Sequence, residues 1–403
     1  MKIEFNPKDF LRKFRLVAGV SAKRYVRAIL MNVKIVAHKK HGTFLMATDT
    51  ELGIRVHVDT DVPESGSVIV PPKWLIQVLT RVKDGRAMIE SDAQTITVAS
   101  KTGTVTTPVT SHEDEFPNVE SFAESNYYAV ESDMLATVIK RTVFATDKDA
   151  IKHACSGVAL QSDNGRLFAI ATNGTCLVAQ EWYAQTIGKS TLRYAEKPAI
   201  VPTNVLNLLS KVLKDKAVME SCESTVSMAV NTDHVKFQCG DVTLFSRLID
   251  GKFPHWKSAV PKTKNAPCVV DRDDLFSVLR RMEICTTDLC PCVLLTFEHD
   301  RLTLSARSVG VGRCTEVVSK TGYKGEKRTV KLHCKPLIDM LTAITGAVLI
   351  HCSEDDENVV KFTAGDLTYV HKSQELRLEE TDESEWERLQ TIYRNDELRS
   401  RLR

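Results

Sequence analysis

The 403-residue sequence has no apolar run of the ~18 residues that a membrane-spanning helix needs. Its start, MKIEFNPKDFLRKF, carries charges where a secretory signal would be apolar. These two absences point to a cytoplasmic protein. Strong charge of one sign is missing too: formal net charge is only +2, so the chain is no basic nucleic-acid binder by overall balance. Cysteine is absent from the first 150 residues, and all 11 lie beyond. Without an export signal they are expected to be reduced, buried small hydrophobes, with Cys155, Cys239, Cys292 and Cys352 at strand positions. Cys290-Pro-Cys292 is the tightest pair, but neither Cys285 nor His299 completes a zinc knuckle with it. No metal and no cofactor are expected. Walker, GxSxG and HExxH motifs are lacking as well. The Gly-rich VGVGRC (Val309 to Cys314) does not run into a helix, as a phosphate cradle would. No catalytic site is expected.

What is present is a repeat. FAIATNGTCLVAQE (Phe168 to Glu181) reads as two short strands around a tight Asn173-Gly174 turn. FLMATDTELGIRVHV (Phe44 to Val58) is related to it, and LTLSARSVGVGRCTEVV (Leu302 to Val318) more loosely so. A threefold repeat decides the fold before any other feature. Each block reads helix, strands, helix, strands. NPKDFLRKFRLVAG opens the first, with Phe10, Leu11, Phe14, Val17 and Ala18 on one helical face. PPKWLIQVLTRVK gives its second helix, with Trp74, Leu75, Val78, Leu79 and Val82 as the stripe. Ser132 to Thr146 and VPTNVLNLLSKVLK are the helices of the second block; DDLFSVLRRMEICT and LHCKPLIDMLTAI are those of the third. Strands outnumber helices and alternate in polarity, so the fold class is α+β, with antiparallel sheets covered on one face by helices. The expected domains are 1–122, 123–255 and 256–375, followed by a charged tail, 376–403.

Charge is unevenly distributed. The six predicted helices hold 17 Lys or Arg against 6 Asp or Glu, most of the acids lying at helix starts. Three such blocks side by side would offer one basic surface that neutralises phosphates without reading bases. The plainer account is that Lys and Arg are good helix formers on solvated faces.

The MATDTEL and AIATNGTCLVA segments, the VPPK and VPT starts of the second helices, and SRLIDGKFPHW together resemble the bacterial sliding clamp, the β subunit of DNA polymerase III. The resemblance covers about residues 1 to 375. It implies the DNA clamp fold: a head-to-tail homodimer of three-domain protomers whose helices line a hole around double-stranded DNA. Such a ring holds the polymerase on its template and does no bond chemistry itself, although it is classed with DNA-directed DNA polymerase through the holoenzyme. By the same resemblance Arg24, Lys73, Lys152 and His153 contact DNA, His153 standing where the family often has an aromatic residue. A pocket between the second and third domains would accept short linear motifs from the DNA polymerase III alpha subunit, the clamp loader and repair polymerases. Its matching positions are Cys155, Thr172, Gly174, Thr175, Cys176, Leu177, Pro254, Ser258, Ala259, Cys290, His333 and Pro336.

The sequence departs from the family in places. Thr175 and Cys176 follow Asn173-Gly174 where the family has His or Tyr and then Arg, and Ser258 replaces a common Arg. The chain also continues into the tail, in which Ser384 and Glu387 form a capping box and Trp386, Leu389, Ile392 and Tyr393 an apolar stripe. QELRL (Gln374 to Leu378) loosely resembles a clamp-binding peptide, so a tail folding over the pocket as a lid is one expectation. Alternative functions are a divergent or second-copy clamp serving repair, or a non-encircling scaffold of three modules.

Overall fold

A computed structural model of the protein describes all residues except 22–26, 83–84, 110–114, 118–126, 150–152, 164–165, 188–196, 222–223, 264–265, 309–310, 354–357 and 376–403. The first block runs β1 (Lys2–Phe5), α1 (Pro7–Ala18), β2 (Val33–His38), β3 (Gly42–Thr48), β4 (Leu52–Val58), β5 (Asp61–Glu64), β6 (Gly66–Val70), α2 (Pro72–Arg81), β7 (Ala87–Ser91), β8 (Thr95–Ser100) and β9 (Gly103–Pro108). The second runs β10 (Tyr127–Glu131), α3 (Ser132–Thr142), β11 (Gly157–Asp163), β12 (Arg166–Thr172), β13 (Cys176–Trp182), β14 (Gln185–Ile187), β15 (Ala199–Pro202), α4 (Thr203–Leu213), α5 (Lys216–Ser221), β16 (Thr225–Val230), β17 (His234–Cys239) and β18 (Val242–Arg247). After a short α6 (Trp256–Ala259) comes the third: β19 (Cys268–Asp271), α7 (Arg272–Met282), β20 (Cys292–Glu298), β21 (Arg301–Ser308), β22 (Gly312–Ser319), β23 (Arg328–His333), α8 (Cys334–Thr342), β24 (Ala347–Cys352), β25 (Val359–Ala364) and β26 (Leu367–Lys372).

The helices begin where the sequence says they should. Asn6 caps α1 by accepting from the Lys8 and Asp9 amides, and Asp271 caps α7 in the same way. Phe10, Phe14 and Val17 are the buried stripe of α1. The Phe10 ring lies 4.1 Å from Phe5 and 6.1 Å from Phe14. Removing Phe10 would cost about 3–5 kcal/mol in transfer and cavity terms. Two expected helices are shorter than their sequences suggest. Leu332 and His333 end β23 rather than start α8, because VKLH alternates and pairs with β20. The segment after Thr142 turns into a 3-10 helix, Val143–Ala145. Cys155 sits in a 3-10 turn, not in a strand.

By its contacts the chain divides into two compact units. The first holds 1–136 and 183–250, the second 137–182 and the described residues from Gly251 onward. The first unit contains a five-stranded sheet, β5-β1-β7-β8-β9, and a nine-stranded one, β14-β10-β16-β17-β18-β4-β3-β2-β6. The second contains β22-β21-β20-β23 and the run β11-β12-β13-β26-β25-β24-β19. In each unit a sheet crosses from one block to the next through one strand pair. β4 joins β18 with Leu244 opposite Ile54, and β13 joins β26 with Val178 opposite Tyr369. β4 and β13 hold the same place in their blocks, as do β18 and β26. The fold is thus α+β with antiparallel pairing, as the alternation implied.

Candidate functional site

Two copies of the repeat agree down to hydrogen bonds. In the second block Thr172 Oγ1 donates to the Cys176 carbonyl at 2.7 Å and accepts from the Gly174 amide at 3.1 Å. Asn173 Oδ1 accepts from the Thr175 and Cys176 amides at 3.0 and 2.9 Å. The first block repeats this knot: Thr48 Oγ1 donates to Leu52 and accepts from Thr50, while Asp49 accepts from Glu51 and Leu52. The third turn residue has positive φ in both, 89° at Gly174 and 83° at Thr50. Glycine adopts that conformation freely and threonine does not. The second copy is the relaxed one, and it borders a groove.

This groove lies wholly in the second unit and has a volume of about 610 Å³. Nine of the twelve expected residues line it: Cys155, Thr172, Gly174, Thr175, Cys176, Leu177, Pro254, Ser258 and Ala259. The sequence reading missed Trp256, Val260, Pro261, Val359 and Val370 on its walls and Lys257, Lys262 and Lys372 among its lining residues. Trp256 anchors α6: its Nε1 donates to Gln161 Oε1 at 3.1 Å and its ring lies 5.3 Å from Phe168. Lys257 is held by Asp163 at 2.6 Å. Lys262 and Lys372 are exposed and form no ion pair among the described residues. The continuity of PHWKSAV with Pro254 was the available signal for this wall. Ser258 turns its hydroxyl to the His255 carbonyl at 2.7 Å, so it offers little outward reach. Burial pushes the Cys176 thiol up to about 12, which makes it an apolar wall group and no nucleophile.

Cys290, His333 and Pro336 do not line the groove, which corrects their grouping with the other nine. For His333 strand alternation is the reason. On β26, Val370 and Lys372 face the groove while His371 between them turns to the opposite side. There the His371 ring lies 6.0 Å from His333 and 5.9 Å from Tyr369. His371 is fully buried, and burial drives its pKa down to about 4 against a bond to the Lys372 carbonyl that raises it. Cys290 is exposed in a turn, bonded to Thr287.

The helical cations divide unevenly between the units. In the first unit Lys8, Lys73, Lys211, Lys214 and Lys216 are exposed and form no ion pair among the described residues. Arg12 is tied to Asp9 and Asp215, and Lys13 is buried with Asp241 at 2.8 Å. In the second unit Arg272, Arg280, Arg281 and Lys335 pair with acids, Asp273, Glu283, Glu316 and Asp339, while Lys140 on α3 is exposed and forms no ion pair among the described residues. The charge count of 17 therefore overstates the cations free for an anionic partner. Lys73 is exposed at the start of α2 and His153 is exposed in its 3-10 turn; Arg24 and Lys152 lie outside the described residues.

Models of the DNA polymerase III beta subunit match the chain in order: N-terminal domain at residues 1–120, central domain at 129–255 and C-terminal domain at 257–364. The chain belongs to the DNA polymerase III beta subunit family. A curated beta sliding clamp from Pseudomonas putida is 26% identical over 365 residues, 89% of this chain and 96% of that protein. A crystal structure of the DNA polymerase sliding clamp from Pseudomonas aeruginosa superposes with a TM-score of 0.83 at 24% identity, covering 93% of this chain and all of that one. The Bacillus subtilis sliding clamp gives 0.84 at 18% identity, covering 94% and 100%. These likenesses show the clamp fold. As a beta subunit the chain is a member of a family of processivity factors. No described helix is long and apolar enough to cross a membrane.

Proposed function

We propose that this chain is a DNA sliding clamp that closes as a homodimeric ring around duplex DNA and tethers the replicative polymerase. The observation that carries the closed ring is a pair of bare strands. Within the chain, blocks join through β4 with β18 and β13 with β26. The strands at those same places at the two ends of the series are β22 and β9, and each is the edge of its sheet. Val317 on β22 is 43% exposed and Val105 on β9 is 46% exposed. An exposed edge with apolar residues invites pairing. Joining β22 of one copy to β9 of a second, and the reverse, repeats the internal junction at both seams and leaves neither edge open. The three domains, 1–122, 123–255 and 256–375, then occur twice each, six domains around the hole.

Lys73, with Arg24, Lys152 and His153, would contact phosphates from inside the ring without sequence preference. The ring needs no catalytic site of its own: threading restrains the polymerase and raises its concentration at the template. The groove would take linear motifs of the polymerase alpha subunit, the clamp loader and repair polymerases, with apolar residues against Trp256, Leu177 and Val370 and an acid near Lys262 or Lys372. The cytoplasm is where such a protein meets its template. Loading on nicked circular plasmid tests encirclement. The clamp should remain on the circle and leave once the circle is cut; equal retention on both forms would reject threading. Val105→Glu with Val317→Glu should convert the dimer to monomer in a mass measurement and abolish that retention.

A further inference from the structure

β22 is the edge strand of the sheet β22-β21-β20-β23, and the segment that leaves α7 runs along one of its faces. Two fastenings fix how they align. At the end of α7, Arg281 forks onto Glu316 of β22 through Nε and a terminal nitrogen. Further on, Thr287 Oγ1 and Ser308 Oγ lie 3.3 Å apart, and Ser308 is the strand partner of Gly312 on β22. As the chain advances from Arg281 to Thr287, its neighbour on β22 therefore retreats from Glu316 to Gly312. Between the fastenings stand two thiols, Cys285 at the end of a 3-10 turn, Glu283–Cys285, and Cys314 on the strand. The steps match. From Arg281 to Cys285 the chain rises about 7 Å, at ~1.5 Å per α-helical and ~2 Å per 3-10 residue. The strand from Glu316 to Cys314 covers about the same length at ~3.3 Å per residue. Cys314 shares its face of β22 with Glu316, and its Sγ lies 3.9 Å from Glu316 Oε1. Both thiols are free and partly exposed, unlike the buried Cys155, Cys176, Cys239, Cys268 and Cys334.

We propose that Cys285 and Cys314 are a redox-responsive pair, which a small disulfide of the glutathione class oxidises to an intrachain disulfide that pins β22 to the turn after α7. The exchange goes in two steps. The Cys285 thiolate attacks one sulfur of the oxidant, forming a mixed disulfide and releasing one glutathione thiolate. The Cys314 thiolate then attacks the Cys285 sulfur and releases the second. Two protein thiols lose two electrons and two protons, and one oxidised glutathione becomes two reduced molecules. This order follows from the site: burial and the Glu316 carboxylate push the Cys314 thiol up, with Arg281 acting against them. Cys314 is thus better suited to resolve a disulfide already held beside it than to capture one from solution. In a reducing compartment such a bond forms only when the thiol pool turns oxidising, so it reports that change. The consequence for the ring rests on the seam reading above. There β22 is the edge offered to β9 of a second copy, and an edge fixed beforehand loses less freedom on pairing.

The test treats the full chain with oxidised glutathione, blocks the remaining thiols by alkylation and maps the proteolytic fragments by mass. One linked pair of fragments should carry Cys285 and Cys314, and dithiothreitol should separate it. Cys314→Ser should leave glutathione on Cys285, because the resolving thiol is gone. Cys285→Ser should leave Cys314 without glutathione over the time in which the native pair links fully. Cys290→Ser removes an exposed thiol in the turn at Thr287 and should not alter the link. Cys285 and Cys314 both recovered alkylated, or either bonded to another cysteine, overturns the proposal. The seam is read separately, by sedimentation of reduced and oxidised protein. Oxidation should lower the dimer dissociation constant at least threefold in the native chain and leave it unchanged in Cys314→Ser. A linked chain with an unchanged constant rejects the effect on the seam. A linked chain that stays monomeric at every concentration rejects the ring reading instead, while the fragment map still decides the bond.

Discussion

The helices of the two units were built from similar residues and use them differently. Those of the first unit leave five lysines exposed without an acid, whereas those of the second leave one, Lys140, and bind four other cations to Asp273, Glu283, Glu316 and Asp339. An ammonium on a long stem, unpaired and wet, can follow a phosphate backbone; an arginine forked onto a carboxylate is already committed. The lesson is that basic composition measures potential contact, and pairing decides how much of it remains. Unit 1 is the stronger candidate for holding DNA, and unit 2 for holding partners.

The largest effect should come from reversing the free cations. Lys73→Glu, Lys211→Glu and Lys214→Glu together should flatten the salt dependence of DNA affinity by a slope of about 2.7, if each contacts one phosphate. Arg280→Ala with Arg281→Ala should leave that slope unchanged. Equal effects would erase the distinction between the units.

Acid should weaken the second unit more than the first. Unfolded, His371 titrates near its ordinary value of ~6.5, but folded it holds off protonation until about 4. Its contribution is intact above pH ~6.5 and declines as pH falls toward 4, by up to about 3 kcal/mol. Burial also lowers His333 beside it. Thermal unfolding followed across this range should show the loss, and His371→Leu should flatten it. A profile unchanged by that substitution would place the acid sensitivity elsewhere.

A smaller effect is expected at the groove rim. Lys262→Ala with Lys372→Ala should weaken an acidic motif peptide by roughly tenfold, the scale of one or two charge-assisted contacts. A neutral motif peptide should bind both forms alike, and fluorescence titration separates the two.

Much of this was legible beforehand, for reasons that differ by residue. The Thr-Asn-Gly-Thr-Cys and Thr-Asp-Thr-Glu-Leu turns are local, so their likeness survives in the sequence and exposes the repeat. Nine groove residues came together because they belong to that turn, to the short turn at Cys155 and to the Phe253-Pro254 segment. Cys290, His333 and Pro336 fall outside the groove lining, and for His333 nothing local tells which side of β26 it meets. Short strands such as β1, β15, β19 and β23 escaped notice, four to six residues each at the mouth of a helix. The pairing of Arg12 with Asp215 and Lys13 with Asp241 joins positions about two hundred residues apart, beyond any pattern of spacing.

The unlike edges β9 and β22 give the chain a direction. Two copies joined unlike edge to unlike edge at both seams are related by a half-turn about the central opening, and a rotation about that axis turns neither copy over. Both partner grooves would then open on the same side. A machine seated there would meet DNA in one orientation only, so a polarity written into strands of the first and third blocks would become a polarity of travel.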